Sequence, residues 1–357
     1  MDGKVGKILR YVLLFAVAVV LLYFAFRKVE WDGFWSALKA CRWSGVAFSM
    51  LLGILAFWLR GVRWRLLLLP IDRTTSLLTC FNAVNISYMV NLVLPRVGEF
   101  VRCGYITAHS AKDPESTEEE PRRLASYDKV LGTAALERAS DVLALGVLLG
   151  LFLLFTWKRF GAFFVEKIFR GASDSISVVK VVILAGVLVL AVAFVYCVFK
   201  FADRWAPLKK ISDFCKGLWQ GFLSCLKMKN AWAFFVLTAL IWVCYWLTSA
   251  SVLWAVQGIS PDAVGADMAA SLESLRGLGL VDALFLMLAG SLASLVPVPG
   301  GFGAFHFIVG GALQTVYGVP FGFGIILATL SHESQTICQA VCGGLSYLSE
   351  STRKNNL

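Results

Sequence analysis

The chain has 357 residues, of which 58% are hydrophobic and only 16% are charged. An average soluble protein is about 25% charged and about 45–50% apolar. The composition therefore excludes a soluble globular domain and predicts a polytopic helical membrane protein. The net charge of +10 does not indicate nucleic-acid binding, because no soluble domain is present on which the basic residues could cluster. Basic loops beside anionic lipid headgroups account for it instead.

Apolar runs of about 17–25 residues are long enough to cross a bilayer as helices. Lys4, Lys7 and Arg10 precede the first run without an obvious small-residue cleavage site, so we expect a retained span rather than a signal peptide. The nine cysteines form no CxxC pair and are interpreted as small buried hydrophobes, not as metal ligands or disulfides. The predicted full spans are 9–26, 43–62, 130–156, 178–199, 231–256 and 321–348.

Two further apolar segments are broken by proline and glycine. The first runs through 77–94, breaks at Pro95 and resumes at 97–106; the second runs through 281–296, breaks at Pro297 to Gly301 and resumes at 302–317. Backbone freed from helical hydrogen bonds survives at membrane depth only where protein or a water-filled cavity satisfies it. Each broken unit is either a re-entrant hairpin or a crossing, and together they predict a binding or permeation centre.

The numbers of lysines and arginines on the two sides of the membrane favour re-entrant hairpins over crossings. With two re-entrant units and a cytoplasmic N-terminus, the predicted cytoplasmic segments carry twice as many basic residues as the external ones, with Arg60 and Arg63 counted as cytoplasmic. A crossing first unit would place the basic loop at 200–229 outside. We therefore predict an all-α fold with about six full spans, two opposed hairpins (about 77–106 and 281–317) and both termini cytoplasmic, all within one domain, 1–357. Opposed broken helices are also typical of inverted-repeat transporters.

Three segments outside the spans have their own predictions. The acidic, proline-containing stretch at 107–129 is interpreted as a solvated cytoplasmic loop. Apolar residues and lysines alternate through 203–227, which indicates an amphipathic helix at the cytoplasmic interface. The stretch 262–280 is expected to lie similarly on the outer side.

The first break carries three ionisable residues, Arg96, Glu99 and Arg102. On a helix that begins at Val97, Glu99 and Arg102 share a face. A cationic site for an anionic headgroup would use such arginines, since the guanidinium group donates two parallel hydrogen bonds to a phosphate. The alternative is an interfacial cluster that anchors the hairpin to lipid phosphates. Asn82, Asn85 and Asn91 precede the break and can bond neighbouring helices or line a cavity.

The span at 130–156 begins with a second charged group, Glu137, Arg138 and Asp141. An Arg138–Asp141 pair would neutralise itself and leave Glu137 free to meet an arginine of the first hairpin. Alternatively, these charges mark a helix end in the headgroup region, or they hold the fold together without touching substrate.

The second break offers backbone groups at Gly300 and Gly301, followed by His306; His332 and Glu333 lie in the last span. The glycines either expose binding groups or only permit close packing. His306 is a candidate for anion binding, and His306, His332 and Glu333 together are candidates for a proton relay. The alternative is that each histidine only makes ordinary hydrogen bonds, as a lone histidine in a membrane segment more often does. No HxxxH spacing occurs, so no metal or other cofactor is expected.

Three motifs in this order are similar to the transmembrane region of lysylphosphatidylglycerol synthases and their stand-alone relatives in bacterial membranes. They are Leu94 to Glu99 with Arg102, Glu137-Arg138 with Asp141, and Pro297 to Gly303. The resemblance covers roughly 8–350 and implies a lipid-translocating module in the bacterial inner membrane. The family commonly has a glutamate shortly after the second motif, where this chain has His306. Because the chain ends at Leu357, soon after its last predicted span, we do not expect it to carry out aminoacyl transfer.

The leading hypothesis is a flippase-like transporter, not an enzyme, that moves a phospholipid or lipid-linked anionic substrate. Its partners would be membrane lipids, and a lipid-modifying enzyme is a further candidate partner. The alternatives are a non-transporting scaffold for such an enzyme and an enzyme that acts on lipid phosphates. For the second alternative, the sequence offers no convincing spacing of a nucleophile and a base. No Walker motif is present, so ATP hydrolysis by this chain is not expected.

Overall fold

A computed structural model describes residues 19–27, 29–114, 123–163, 230–296 and 298–355, with the isolated positions 16, 209, 212, 213 and 216. Within these residues the fold is all-α, with one isolated β-bridge between Lys112 and Arg123. The predicted span 178–199 and most of the predicted amphipathic segment 203–227 lie outside them.

The α-helices whose bounds the structure gives are α1 (Trp31–Ala40), α2 (Trp43–Leu68), α3 (Leu77–Val93), α4 (Gly98–His109), α5 (Tyr127–Phe163), α6 (Ala231–Gln257), α7 (Ala266–Arg276), α8 (Leu280–Ala293), α9 (Ala304–Tyr317) and α10 (Phe321–Asn355).

Three of the described helices are long and apolar enough to cross a bilayer: Trp43–Leu68, Tyr127–Gly161 and Ala231–Gln257. Helix α5 exposes large apolar side chains on its outer face, among them Leu143, Leu154 and Phe155. Such a face is stable in lipid and not in water. The chain is therefore an all-α polytopic membrane protein, and the number of six full spans stays a prediction.

The first broken unit forms a hairpin, because its two ends lie together. Asp72, just before α3, accepts hydrogen bonds from the Ser110 hydroxyl (2.5 Å) and the Ala111 amide (3.1 Å), which follow α4. Burial raises the pKa of this carboxyl, but these bonds and those from Thr74 outweigh it, so the pKa of Asp72 is lowered. Helix α4 continues to His109 and α5 begins at Tyr127, so the connecting loop is shorter than the predicted 107–129.

The second broken unit also returns to its starting end. Asp282, in the first turn of α8, accepts a hydrogen bond from Tyr317 at the end of α9 (2.9 Å) and pairs with Arg159 near the end of α5 (2.8 Å). Helix α7, within the predicted segment 262–280, is bent by 110° from α8 and does not continue it.

Helix α5 shows that the two hairpins are opposed. The base of the first hairpin is bonded to the beginning of α5, since the Ala125 amide donates to Ser110 (2.9 Å), whereas the base of the second is bonded to Arg159 near its end. A helix of this length separates the two bases by roughly 45–50 Å at 1.5 Å per residue. The tips nevertheless touch, because Arg96 donates to the carbonyl of Ser294 (2.9 Å). The two hairpins therefore enter the helical bundle from opposite ends and meet inside it.

Each hairpin packs into its own apolar cluster. The first cluster joins α3 and α4 to α2 and α5 through Trp64, Ala83, Ile106 and Val130. The second is larger and joins α8, α9 and α10 to α6 and the end of α5. The second tip packs separately, with Val298 and Ala304 against Leu21 and Val296.

Candidate functional site

A cavity of about 430 Å³ lies between the hairpin tips. Both breaks contribute to its wall, together with α2, α3, α5, α6, α8, α9 and α10. Its polar and charged lining residues are Arg60, Tyr88, Asn91, Arg96, Glu99, Arg138, Tyr245, Thr248, Ser249, Ser291, Ser294, Ser331, His332, Gln335 and Gln339. The wall is completed by apolar residues and by the backbone of Gly300 and Gly301.

The tip of the first hairpin is a tight turn around Arg96. Arg96 has a φ of 67°, which makes it the one residue other than glycine with left-handed backbone in the described part of the chain. The side chain of Asn91 closes the turn by accepting a hydrogen bond from the amide of Gly98 (2.8 Å), an otherwise free donor at the start of α4. A strained, non-glycine backbone of this kind persists only where its surroundings fix it, and it is frequent at functional sites. The turn aims Arg96 across the cavity to Ser294.

The tip of the second hairpin is a 3₁₀ turn at Pro299–Gly301. Gly300 and Gly301 have φ values of 56° and 78°, a conformation that glycine adopts without steric cost. The carbonyl of Gly300 is hydrogen-bonded to Nε2 of His332 (2.9 Å), which ties the tip to α10. The break is thus a shaped turn whose backbone faces the cavity.

Behind the cavity lies a buried ionic network centred on Glu137, which is completely buried. Arg102 of the first hairpin donates to Oε2 of Glu137 (2.6 Å), and Arg63 of α2 donates to Oε1 (2.9 Å). Arg102 also pairs with Glu99 (2.5 Å) and lies over the ring of Trp64. Glu137 therefore meets an arginine of the first hairpin, as its position predicted, and it meets Arg63 as well.

Asp141 extends the network towards α6. It pairs with Arg63 (2.8 Å) and Arg60 (3.1 Å), and Arg60 in turn donates to the hydroxyl of Tyr245 (2.6 Å). The predicted Arg138–Asp141 pair is present at 3.6 Å but is longer than either of these contacts. Asp141 is therefore neutralised mainly by α2 and only secondarily within its own helix.

The charges of this network do not balance. Four arginines (Arg60, Arg63, Arg102 and Arg138) meet three carboxylates (Glu99, Glu137 and Asp141) through contacts of 2.5–3.7 Å. Arg96 adds a further positive charge at the tip. Each of the four network arginines has at least one buried nitrogen without a hydrogen-bond partner among the described residues, such as Nη1 of Arg60 and Nε of Arg138. Arg60, Arg96 and Arg138 line the cavity, so positive charge borders the space where a ligand would lie.

The structure divides the predicted site residues into two groups. Arg96, Glu99, Arg138, Gly300 and Gly301 line the cavity. The other predicted substrate-binding residues, Arg102, Glu137, Asp141 and His306, do not line it. The first three belong to the buried network, and His306 lies behind His332.

The prediction that Arg60 and Arg63 are cytoplasmic loop residues is wrong. Helix α2 continues to Leu68, six residues beyond the predicted span, and both arginines are buried within it. Arginines at the end of an apolar run look like membrane-surface anchors in sequence. One signal in the sequence could have indicated that these arginines are buried. Glu137 and Asp141 lie on the predicted span 130–156, and burying both carboxylates requires cations beyond Arg138 and Arg102.

The predicted proton-relay residues, His306, His332 and Glu333, lie close together on α9 and α10. Glu333 Oε1 lies 3.0 Å from Nδ1 of His332 and 3.6 Å from Nε2 of His306. The two imidazole rings are 5.2 Å apart and are surrounded by Phe26, Phe302 and Phe305. The arrangement can hold a proton or a cation, and it contacts the cavity through His332 alone.

Opposed hairpins around a polar, arginine-lined cavity define a polytopic membrane protein with that cavity as its candidate site. The chain belongs to the lysylphosphatidylglycerol synthase TM region family, which it matches over residues 11–343. Membership of this family associates the chain with lipid modification or lipid flipping in a membrane. No curated protein and no solved structure matches it significantly.

Proposed function

We propose that this protein is a flippase-like transporter of a phospholipid or lipid-linked anionic substrate. The observation that carries the proposal is the cavity between the hairpin tips, which Arg60, Arg96 and Arg138 line with an excess of positive charge. Ligand cavities of small molecules measure about 300–1,000 Å³. A volume of about 430 Å³ therefore suits a headgroup, while the acyl chains stay in the surrounding lipid.

The headgroup contacts follow from the chemistry of the wall. A phosphate accepts charge-assisted hydrogen bonds from arginine, and Arg96 and Arg138, which line the cavity, would supply them. Polar groups on the opposite wall, such as Ser294, Gln335 and Gln339, can bond glycerol or other hydroxyl groups. The site thus favours a polar, anionic or zwitterionic headgroup over a neutral lipid.

In this proposal the network behind the cavity positions the binding residues and does not itself bind substrate. Glu137 and Asp141 hold Arg60, Arg63 and Arg102 in fixed geometry, which leaves Arg96 and Arg138 to face the headgroup. A site that is rigid before the ligand arrives loses less entropy on binding.

The contact between the tips suggests how the substrate moves. The hairpins enter from opposite ends, so separation of Arg96 from Ser294 would open the cavity along one hairpin without disturbing the base of the other. Movement of one broken-helix unit against another is the general route of alternating access. The proposed location is the bacterial inner membrane with both termini cytoplasmic, the proposed partners are membrane lipids, and no chemical step is assigned to the chain.

Replacing Arg96 with alanine is expected to slow lipid exchange by about 10–100-fold, because one charge-assisted hydrogen bond contributes about 1.5–3 kcal/mol. The measurement is the exchange of fluorescent phosphatidylglycerol between leaflets of proteoliposomes, read by chemical quenching of the outer leaflet. The matched control is Arg276→Ala, which removes an exposed arginine that pairs with Glu273 on the same helix, α7. Exchange at the wild-type rate in Arg96→Ala, or no acceleration by the wild-type protein with any anionic or zwitterionic phospholipid, would contradict the proposal.

A further inference from the structure

Three metal-ligating side chains converge beside the second hairpin tip. One ligand atom from each of His306, His332 and Glu333 lies within 4.8 Å of the other two. In a tetrahedral zinc site the metal–ligand distances of about 2.0–2.2 Å place ligand atoms about 3.3 Å apart. The contacts of Glu333 with His332 (3.0 Å) and with His306 (3.6 Å) already bracket that spacing.

The tautomer of His332 is set for metal binding. Its Nε2 lies 2.9 Å from the carbonyl oxygen of Gly300, an atom that can only accept, so Nε2 carries the proton. In the neutral ring the other nitrogen, Nδ1, is then unprotonated and available to a metal, and it lies 3.0 Å from the Glu333 carboxylate. Metal-ligating histidines are typically held in this way, with the second ring nitrogen donating to a backbone carbonyl or carboxylate.

His306 lacks the partners that a buried imidazole normally has. Its side chain is 1% exposed, and neither ring nitrogen has a hydrogen-bond partner among the described residues. Leaving a buried polar group unpaired is destabilising, and the great majority of such groups are satisfied. A cation held jointly with Glu333 and His332 would satisfy Nε2.

From these three observations we propose that His306, His332 and Glu333 bind one divalent transition-metal ion, with zinc as the ion that suits the donor set. Two imidazoles and one carboxylate are the protein ligands of open zinc sites, which leave a fourth position for water or another ligand. Phe26, Phe302 and Phe305 form an aromatic shell around the rings, and Glu333, with its side chain 34% exposed, provides the route of entry.

The bound ion would have a structural consequence for the cavity. His332 is bonded to Gly300 at the second tip, and His306 lies in the first turn of α9, just after that tip. A metal that joins them would fasten the second hairpin to α10. The ion would thus hold the wall of the cavity in place, whether or not the cavity transports lipid.

The test uses the purified full-length protein in detergent, with its affinity tag removed and bound metal stripped by a chelator. Titration with Co²⁺, followed by visible absorption, and displacement by Zn²⁺ should show one ion per chain. Glu333→Gln and His306→Ala should each weaken binding by at least about 10-fold. The control is His109→Ala, because His109 lies at the far end of the first hairpin, bonded to Glu350, and should leave the titration unchanged.

A second measurement covers the event that His306→Ala does not fold. Zn²⁺ should raise the melting temperature of the wild-type protein and of His109→Ala, but not that of Glu333→Gln, which keeps the shape of the side chain. The proposal is overturned if the wild-type protein binds no stoichiometric Co²⁺ or Zn²⁺, or if Glu333→Gln binds metal as tightly as the wild type.

Discussion

Replacing Glu137 with glutamine is expected to lower the free energy of unfolding by about 3–5 kcal/mol. The carboxylate is fully buried and meets Arg63 and Arg102 at 2.9 and 2.6 Å, with Arg60 and Arg138 within 3.6 Å. The amide keeps the shape of the side chain but leaves these arginines with one carboxylate fewer inside the protein. Thermal unfolding of the purified variant in detergent, together with its yield of monodisperse protein, measures the effect.

The matched control for Glu137 is Glu273→Gln. Glu273 also pairs with an arginine, at 3.1 Å from Arg276, but its side chain is 71% exposed. An exposed pair contributes about 0–1 kcal/mol, so the control should melt close to the wild type. Equal stability of Glu137→Gln and Glu273→Gln would show that the buried network does not stabilise the fold.

The substitution Gly98→Ala is expected to have a comparable effect, acting through the turn of the first hairpin. A Cβ atom at position 98 would overlap the carbonyl oxygen of Ser87 and stand 2.8 Å from Oδ1 of Asn91. Backbone on the neighbouring helix cannot rotate away as a side chain can, so α3 and α4 would have to separate. Overpacking of this kind costs about 1–3 kcal/mol, and it would also displace Arg96. We expect a lower melting temperature and a lower rate of lipid exchange together.

Gly104→Ala is the matched control on the same helix. The nearest atom to a Cβ there is a ring carbon of Tyr127 at 3.9 Å, which is an ordinary contact. Alanine is favoured over glycine in a helix by up to about 1 kcal/mol, so this variant should be as stable as the wild type or more so. If both glycine variants behave alike, the close approach of α4 to Ser87 is not what fixes the turn.

The hairpins could be predicted because their signals are local. Proline and glycine at Pro95 and Pro297 to Gly301 break helices. The side of the membrane from which each unit enters stays a prediction from the basic loops. That the tips touch depends on the side chain of Arg96 reaching Ser294, almost two hundred positions away. Sequence could indicate two breaks at similar depth but not a hydrogen bond between them.

The buried network was predicted only in part, for a physical reason. Glu99, Arg102, Glu137 and Asp141 stand out because ionisable residues inside apolar segments are costly and need partners. Arg63 stands at the end of an apolar run, where a basic residue has an ordinary explanation as an anchor. Only the continuation of α2 to Leu68 turns it inward.

The spacing of residues in the sequence could not predict the histidine cluster. A local pattern such as HxxxH places two ligands on one helix face, whereas His306 and His332 come from different helices. The carboxylate of Glu333 follows His332 directly, a spacing that does not normally place two side chains on the same face of a helix. Their convergence depends on the packing of α9 against α10, which no short-range pattern encodes.

The most direct test of the central claim is to map the residues that a bound lipid headgroup contacts. A phosphatidylglycerol that carries a photoactivatable group on its headgroup is incorporated with the protein into nanodiscs and crosslinked by light, and the labelled residues are mapped by mass spectrometry. The proposal predicts labelling at Asn91, Arg96, Ser294 and Gln335, reduced by excess unlabelled lipid and by Arg138→Ala. Labelling confined to outward-facing positions such as Leu154 and Trp232, with none in the cavity, would contradict it.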